Sequence, residues 1–118
     1  MPSAESTLKD HKQYDIESDL YKAVRSRLTA LGARVLKIHG DPMQERAVDL
    51  IVCYRSKYIS IELKARGKKL TEKQEQFLTQ VRAAGGIGIG AWSVADCLSV
   101  IQEIDEDIAR SGWAKEVL

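Results

Sequence analysis

The sequence predicts a small α/β domain with a mixed β-sheet, in the order helix, three strands, helix, strand, helix. Three observations support this fold class. Apolar residues recur at helical spacing in three segments, two apolar runs flank a short turn, and a later apolar run has glycine at every second position. A chain of 118 residues is long enough for one hydrophobic core and too short for two, so we expect a single domain.

The three helices are indicated by apolar periodicity and by residues that favour helix ends. The first is predicted over about 14–31, where apolar residues recur at intervals of three and four and a glycine follows. The second is predicted over about 71–84, because Thr71 and a glutamine three residues later form a capping-box pattern. The third is predicted to start after Ser93, which can cap its first turn.

Four apolar runs predict the strands, at 33–38, 48–54, 58–64 and 87–92. The second and third runs are separated only by Arg55-Ser56-Lys57, which predicts an antiparallel hairpin. In the fourth run, glycine at alternate positions would let a neighbouring backbone approach closely on one face. The strands therefore predict a mixed sheet with helices packed against it.

Composition indicates a soluble globular chain, with 44% hydrophobic and 30% charged residues. No apolar run is long enough to span a membrane and no secretory signal is evident, so we expect a cytoplasmic protein. Residues 1–13 show no helical or strand-like spacing of apolar residues and are predicted to be a flexible tail. The domain is predicted to span 14–118. Cys53 and Cys97 lack metal-ligand spacing and are expected to be buried free thiols.

Charge is unevenly distributed although the net charge is only +1. Between Tyr54 and Arg82 there are eight basic residues and three acidic ones, whereas from Asp96 onward six acidic residues accompany two basic ones. A local positive zone can attract phosphates, and a solvated surface loop is the alternative interpretation. The candidate phosphate-binding residues in this zone, which would contact the nucleic-acid backbone if the chain binds one, are Arg66, Lys68, Lys69 and Lys73. Trp92 and Trp113 are interpreted as core or interface residues rather than base-stacking platforms.

The polar face of the third strand carries the candidate chemistry. Side chains alternate along a strand, so Ser60, Glu62 and Lys64 point away from the apolar face. Asp49 lies thirteen residues before Glu62, at the head of the preceding apolar run. A buried carboxylate is costly unless it is paired or binds a metal, and two carboxylates repel unless a cation lies between them. This pattern predicts a divalent cation site of the kind that a phosphodiesterase needs.

Two further polar residues could join this site. Glu17 falls within the apolar arc of the first helix, where it either meets a cation or occupies a frayed first turn that favours acidic residues. Gln74 either hydrogen-bonds a metal ligand or a water, or it only completes the helix cap with Thr71. Both alternatives remain open for each residue, and the two roles of Gln74 are compatible.

Together these residues resemble the VRR-NUC domain family of the PD-(D/E)XK nuclease superfamily, over roughly Ile16 to Ile101. The order of features is similar: a helical glutamate, an aspartate at a strand start, I-E-x-K, a short basic loop, a helix opening with [S/T]-x-x-Q, and a glycine pair. The matching positions are Glu17, Asp49, Glu62, Lys64, Gln74 and Gly85-Gly86. One departure is Arg46-Ala47-Val48, which stands where the family commonly has glycine-x-proline before the aspartate.

The resemblance implies a restriction-endonuclease-like core and DNA phosphodiester cleavage that depends on Mg²⁺ or Mn²⁺. These cations prefer oxygen ligands, which Glu17, Asp49, Glu62 and the main-chain carbonyl of Leu63 could supply. Lys64 could orient or deprotonate a water, or hold the phosphate. The implied catalytic set is Asp49, Glu62, Lys64 and Gln74.

Stand-alone family members of this size occur in phages and prophages and are associated with homodimers that cut branched DNA such as four-way (Holliday) junctions. We therefore expect a homodimeric, structure-selective endonuclease that acts on DNA in the bacterial cytoplasm, away from membranes. Two alternatives remain. One is a catalytically weak or inert DNA-binding module on the same fold, and the other is a nuclease that repairs flaps or linear duplexes.

Overall fold

The computed structural model describes residues 3–38 and 49–111. A short 3-10 helix occupies Leu8–His11. The remaining elements are α1 (Glu17–Ala30), β1 (Arg34–Lys37), β2 (Leu50–Tyr54), β3 (Lys57–Leu63), α2 (Glu72–Ala83), β4 (Ile87–Ala91) and α3 (Val94–Ser111). The predicted order of helices and strands is confirmed. Within these residues, no helix is long and apolar enough to cross a membrane.

The sheet has the strand order β1-β2-β3-β4 and is mixed, as predicted. β1, β2 and β3 pair antiparallel, whereas β4 pairs parallel to β3. A two-residue turn joins β2 to β3, with φ of 48° at Arg55 and 70° at Ser56. Such a turn matches the twist of the flanking strands and fixes their register. Asp105 of α3 accepts hydrogen bonds from Tyr54 Oη at 2.8 Å and Arg55 Nη1 at 2.9 Å, which attaches the hairpin to the helix.

The hydrophobic core lies between one face of the sheet and the helices α1 and α3. From β3 it receives Ile59, Ile61 and Leu63, which alternate along the strand as predicted. The α1 stripe of Leu20, Val24 and Leu28 and the α3 stripe of Cys97, Leu98, Ile101 and Ile104 are also buried. An apolar stripe on each helix and an alternating strand pattern therefore account for this side of the fold.

Helix α2 packs against the other face of the sheet, over β4 and β3. The glycines of β4 allow this close contact, as the sequence predicted. A Cβ atom added to Gly88 would lie 2.8 Å from the carbonyl oxygen of Leu78 in α2. Gly88 pairs with Ser60 and Gly90 pairs with Glu62, so α2 lies on the polar face of β3. The glycines thus bring the helix to the strand that carries the candidate chemistry.

The predicted burial of Cys53 is wrong, because this thiol is exposed. Helix α2 packs mainly over β4 and β3, and the second face of β2 is open at this position. Cys97 is buried and free, as predicted, and burial raises the pKa of its thiol to about 12.

The opening segment contains the 3-10 helix that the sequence analysis missed when it predicted a flexible tail. Asp10 accepts hydrogen bonds from the backbone and hydroxyl of Thr7 and from the guanidinium of Arg27 in α1. Arg27 also donates to the carbonyls of Ser3 and Glu5. The backbone hydrogen bond from Thr7 is the main reason that the pKa of Asp10 is lowered. One arginine therefore attaches the opening segment to the domain.

We expect Gly88→Ala to lower the free energy of unfolding by about 1–3 kcal/mol, because the new methyl group would overlap the backbone of α2. Gly90→Ala is the matched control. At Gly90 the nearest atoms, at 3.0 Å, belong to the end of the Leu70 side chain, which can move aside. Thermal and urea unfolding of both variants check this, and equal losses at the two positions would contradict it.

Candidate active site

The polar face of β3 is buried where the candidate residues lie. Ser60 is fully buried, Glu62 is 7% exposed and Lys64, just after the strand, is 9% exposed. On the opposite face the apolar residues of β3 fill the core. Strand alternation therefore places a carboxylate and an ammonium group on one buried polar face, as the sequence predicted for Glu62 and Lys64.

Asp49 lies at the start of β2, next to the end of β3. The backbone N–H of Ile38 donates to the Asp49 carbonyl at 2.9 Å, so the pairing of β1 with β2 extends to this residue. The next residue, Leu50, pairs with Ile61 of β3. The pairing on both sides therefore places Asp49 beside the end of β3, where Glu62 and Leu63 lie.

The carboxylate of Asp49 also closes the β2–β3 ladder. Its Oδ2 accepts a hydrogen bond from the backbone N–H of Leu63 at 2.8 Å. The contact fixes the carboxylate beside Leu63, whose own carbonyl, in the following peptide group, is a candidate metal ligand. Through this hydrogen bond, the Asp49 side chain joins the start of β2 to the end of β3.

A cavity of about 200 Å³ adjoins this carboxylate. Three of the predicted ligand residues line it: Glu17 from α1, Asp49 from the start of β2, and Leu63 from the end of β3. The other lining residues are Ser18, Tyr21, Lys37 and Leu50, and Glu62 is not among them. The structure therefore brings Glu17, Asp49 and Leu63 together around one cavity and leaves Glu62 on the adjoining polar face.

The donor set around this cavity suits a hard divalent cation. Carboxylate and carbonyl oxygens are the ligands that Mg²⁺ and Mn²⁺ prefer. In residues 3–38 and 49–111, no three His, Cys, Asp or Glu side chains are grouped closely enough to hold a metal unaided. Mg²⁺ is commonly held by one or two carboxylates, with waters and substrate phosphate completing its shell. The two carboxylates of Glu17 and Asp49 fit that mode of binding.

Gln74 makes the contacts of both roles that the sequence left open. Its Oε1 accepts from the Thr71 backbone N–H at 2.9 Å, and Thr71 Oγ1 accepts from the Gln74 backbone N–H at 3.2 Å. These bonds form the capping box. Gln74 Nε2 also donates to Oε1 of Glu62 at 2.8 Å. A single side-chain amide therefore caps the N-terminus of α2 and orients the buried Glu62 carboxylate.

The basic loop between β3 and α2 is exposed, and its first residue has a structural role. The backbone N–H of Arg66 donates to the Tyr14 carbonyl at 2.7 Å, and its guanidinium donates to the Gln13 carbonyl at 3.1 Å. The guanidinium also lies 3.4 Å from a carboxylate oxygen of Asp15. Arg66 thus holds the segment before α1 against the loop. Lys68, Lys69 and Lys73 are exposed at the surface.

Trp92, which follows β4, supports the same loop. Its indole N–H donates to the Lys68 carbonyl at 2.7 Å, and its backbone N–H donates to Asp96 at 2.8 Å. The sequence analysis missed this role, because an acceptor on the main chain leaves no trace in a residue pattern. Tyr21 and Lys37 of the cavity were missed as well. The position of Tyr21 one helical turn after Glu17 is a signal that could have placed it there.

Two of the sequence-based interpretations fall on residues that are not described. These are the departure from the family pattern at Arg46-Ala47-Val48 and the assignment of Trp113 to the core or an interface.

The four-stranded mixed sheet and the helices on its two faces define a small α/β domain. A solved structure described as a VRR_NUC domain matches this chain with a TM-score of 0.60 and 24% sequence identity. The match covers 74% of this chain and 94% of that one. No family model and no curated protein matches the sequence. The chain therefore has the fold of a VRR-NUC domain, which confirms the fold implied by the sequence resemblance.

We expect Asp49→Ala to lower the free energy of unfolding by about 1–3 kcal/mol, because the Leu63 N–H would lose its acceptor. Asp49→Asn retains an acceptor oxygen and should be much less affected. Hydrogen exchange at the Leu63 amide, measured by NMR, should be fast in the alanine variant and slow in the asparagine variant. Equally slow exchange in both variants would contradict the role assigned to this hydrogen bond.

Proposed function

We propose that this protein is a metal-dependent endonuclease that hydrolyses DNA phosphodiester bonds. The observation that carries the proposal is the cavity lined by Glu17, Asp49 and Leu63, at the end of the strand that presents Glu62 and Lys64. The fold is shared with a chain described as a VRR_NUC domain, which supports the same chemistry.

Mg²⁺ or Mn²⁺ bound at this cavity would polarise the scissile phosphate and lower the pKa of a bound water. Glu17, Asp49 and the Leu63 carbonyl would hold the ion from the cavity side, and Glu62 would contribute from the adjoining polar face. Gln74 keeps the Glu62 carboxylate in one orientation through its amide hydrogen bond. The residues around the metal would therefore be fixed before substrate arrives, which is the condition for electrostatic stabilisation.

Lys64 is the proposed phosphate- or water-binding residue of this centre. Among the described residues, its ammonium forms no ion pair or hydrogen bond. It lies on the polar face that carries Glu62, two residues further along the chain. An ammonium in that position can bind a phosphate oxygen, or it can orient or deprotonate the attacking water.

The proposed substrate is branched DNA such as a four-way junction, and the proposed active form is a homodimer. A symmetric junction needs two cuts, and two copies of the chain related by a twofold axis would supply two centres. Exposed Lys68 and Lys69 of the loop and Lys73 of α2 would contact the DNA backbone near the cut, with Arg66 supporting the loop. A phage or prophage protein in the bacterial cytoplasm fits this activity.

A second candidate is a DNA-binding module with weak or no catalysis. It is favoured by one observation: within the described ranges, three potential metal-binding side chains do not converge. The first experiment below distinguishes it from the nuclease.

We expect the purified protein to cut a labelled four-way junction in Mg²⁺ or Mn²⁺ and not in EDTA. Glu62→Gln preserves side-chain shape but removes the charge, and should slow cutting at least about 100-fold. Glu103→Gln, an exposed substitution on α3, is the control and should cut like the unmodified protein. Gel assays with junction, flap and plain duplex measure rate and preference. Binding without cutting in either metal would support the inert module instead.

Substitutions at Thr71 and Gln74 distinguish the helix-capping role of Gln74 from its role in orienting the Glu62 carboxylate. Thr71→Ala should cost about 1 kcal/mol of stability through the lost cap and leave the cleavage rate nearly unchanged. Gln74→Glu keeps the acceptor for the Thr71 N–H but removes the donor to Glu62, so cleavage should fall roughly 10–100-fold. Gln76→Glu, exposed on the same helix, is the charge-matched control. Equal cleavage rates for the Gln74→Glu and Gln76→Glu variants would show that Gln74 only caps the helix.

A further inference from the structure

We propose that Lys37, held in place by the ring of Tyr21, is a phosphate-binding residue for the DNA strand that enters the cavity. Both residues line the cavity together with Glu17 and Asp49. The inference rests on the proposed nuclease function and adds a substrate contact on the side of the cavity away from Lys64.

The contact between Lys37 and Tyr21 fixes the position of the ammonium group. Lys37 Nζ lies 4.6 Å from the centroid of the Tyr21 ring, within the range of a cation–π interaction. Tyr21 is half-buried and packs against the hydrophobic core, so the ring is a fixed surface. Lys37 is the last residue of β1 and is exposed. A flexible lysine is thereby held at the rim of the cavity with its charge accessible.

Within the described residues, the ammonium group of Lys37 forms no ion pair with the neighbouring carboxylates. Among the residues that the structure describes, the ammonium of Lys37 lies within 4.0 Å of no carboxylate oxygen, although Glu17 and Asp49 line the same cavity. A lysine that merely neutralised these carboxylates would pair with one of them. The observed position on the aromatic ring leaves its three N–H donors available to another anion.

The strand register shows that Lys37 and Lys64 flank the candidate centre from different faces of the sheet. Lys37 pairs with Leu50, which pairs with Ile61, so Lys37 belongs to the face that carries the core residues. Lys64 follows the alternation of Ser60 and Glu62 on the other face. A DNA strand repelled by two carboxylates would meet an ammonium group on either side of them.

The chemistry of the site identifies the ligand as a backbone phosphate. Lysine binds phosphate as a compact point charge and reads no base, so the contact would position the strand without selecting its sequence. Tyr21 orients the lysine through its ring face rather than through its hydroxyl. Removing the hydroxyl should therefore be harmless, whereas removing the ring should weaken the phosphate contact.

The first test compares Lys37→Gln with Lys22→Gln, an exposed lysine on α1 that does not line the cavity. Binding to a synthetic four-way junction is measured in Ca²⁺, across a series of salt concentrations. We expect Lys37→Gln to raise Kd roughly 3–10-fold and to reduce the slope of log K against log salt by about 0.9, the value for one lost phosphate contact. The Lys37→Arg variant, which keeps the positive charge, should have the Kd and the salt slope of the unmodified protein. In Mg²⁺, the variant should raise KM while kcat changes less than twofold.

The second test compares Tyr21→Phe with Tyr21→Leu. The phenylalanine variant should bind like the unmodified protein, and the leucine variant should show a smaller loss of the same sign as Lys37→Gln. Thermal unfolding identifies any loss that arises from misfolding. A Tyr21→Leu protein that is folded and binds normally would overturn the role of the ring.

The outcomes separate this inference from the proposed function. If the unmodified protein cuts the junction and Lys37→Gln matches Lys22→Gln in affinity and salt slope, the Lys37 site is wrong and the nuclease stands. If the unmodified protein neither binds nor cuts branched, flapped or duplex DNA, both proposals are overturned.

Discussion

The burial of the Glu62 carboxylate is the constraint on which the rest of this structure depends. A charged group removed from water is costly unless neighbouring groups replace its hydration. Here the Gln74 amide supplies a donor, and it can do so only because α2 begins beside β3. The helix in turn approaches the sheet closely only because β4 carries glycine where Leu78 packs. The glycines of β4 thus determine where α2 lies, and the position of α2 determines whether Gln74 can donate to Glu62.

Much of this arrangement could be predicted from the sequence because its causes are local. Alternation along β3 separates Glu62 from the core, and the capping box at Thr71 and Gln74 needs only residues three apart. Alternate glycines in β4 indicated a close neighbour without identifying it. The second contact of Gln74 could not be deduced in the same way, because it depends on how α2 docks on the sheet.

Other features escaped prediction because their partners are distant in sequence or lie on the main chain. Arg66 was assigned to DNA contacts alone, yet it binds the carbonyl of Gln13, which any residue type could present. Lys37 meets Tyr21 only after β1 has folded back along α1. Cys53 was expected to be buried from the apolar run around it, but α2 packs mainly over β4 and β3 and that part of β2 is open. The exposure and contacts of these residues depend on how the helices and loops pack in the tertiary structure, and local sequence preference does not determine them.

The attachment of the opening segment by Asp10 bears on how the protein behaves in acid. The pKa of Asp10 is lowered in the folded state, so its interactions stabilise the protein at neutral pH and fade as the pH falls through that lowered value. Protonation would weaken its bonds to Thr7 and Arg27 while the hydrophobic core stays intact. Acid strong enough to protonate Asp10, below the ordinary aspartate pKa of 3.8, should therefore release the N-terminal edge first, and an acid-tolerant protease added at that stage would trim the chain ahead of α1 before the domain itself opens.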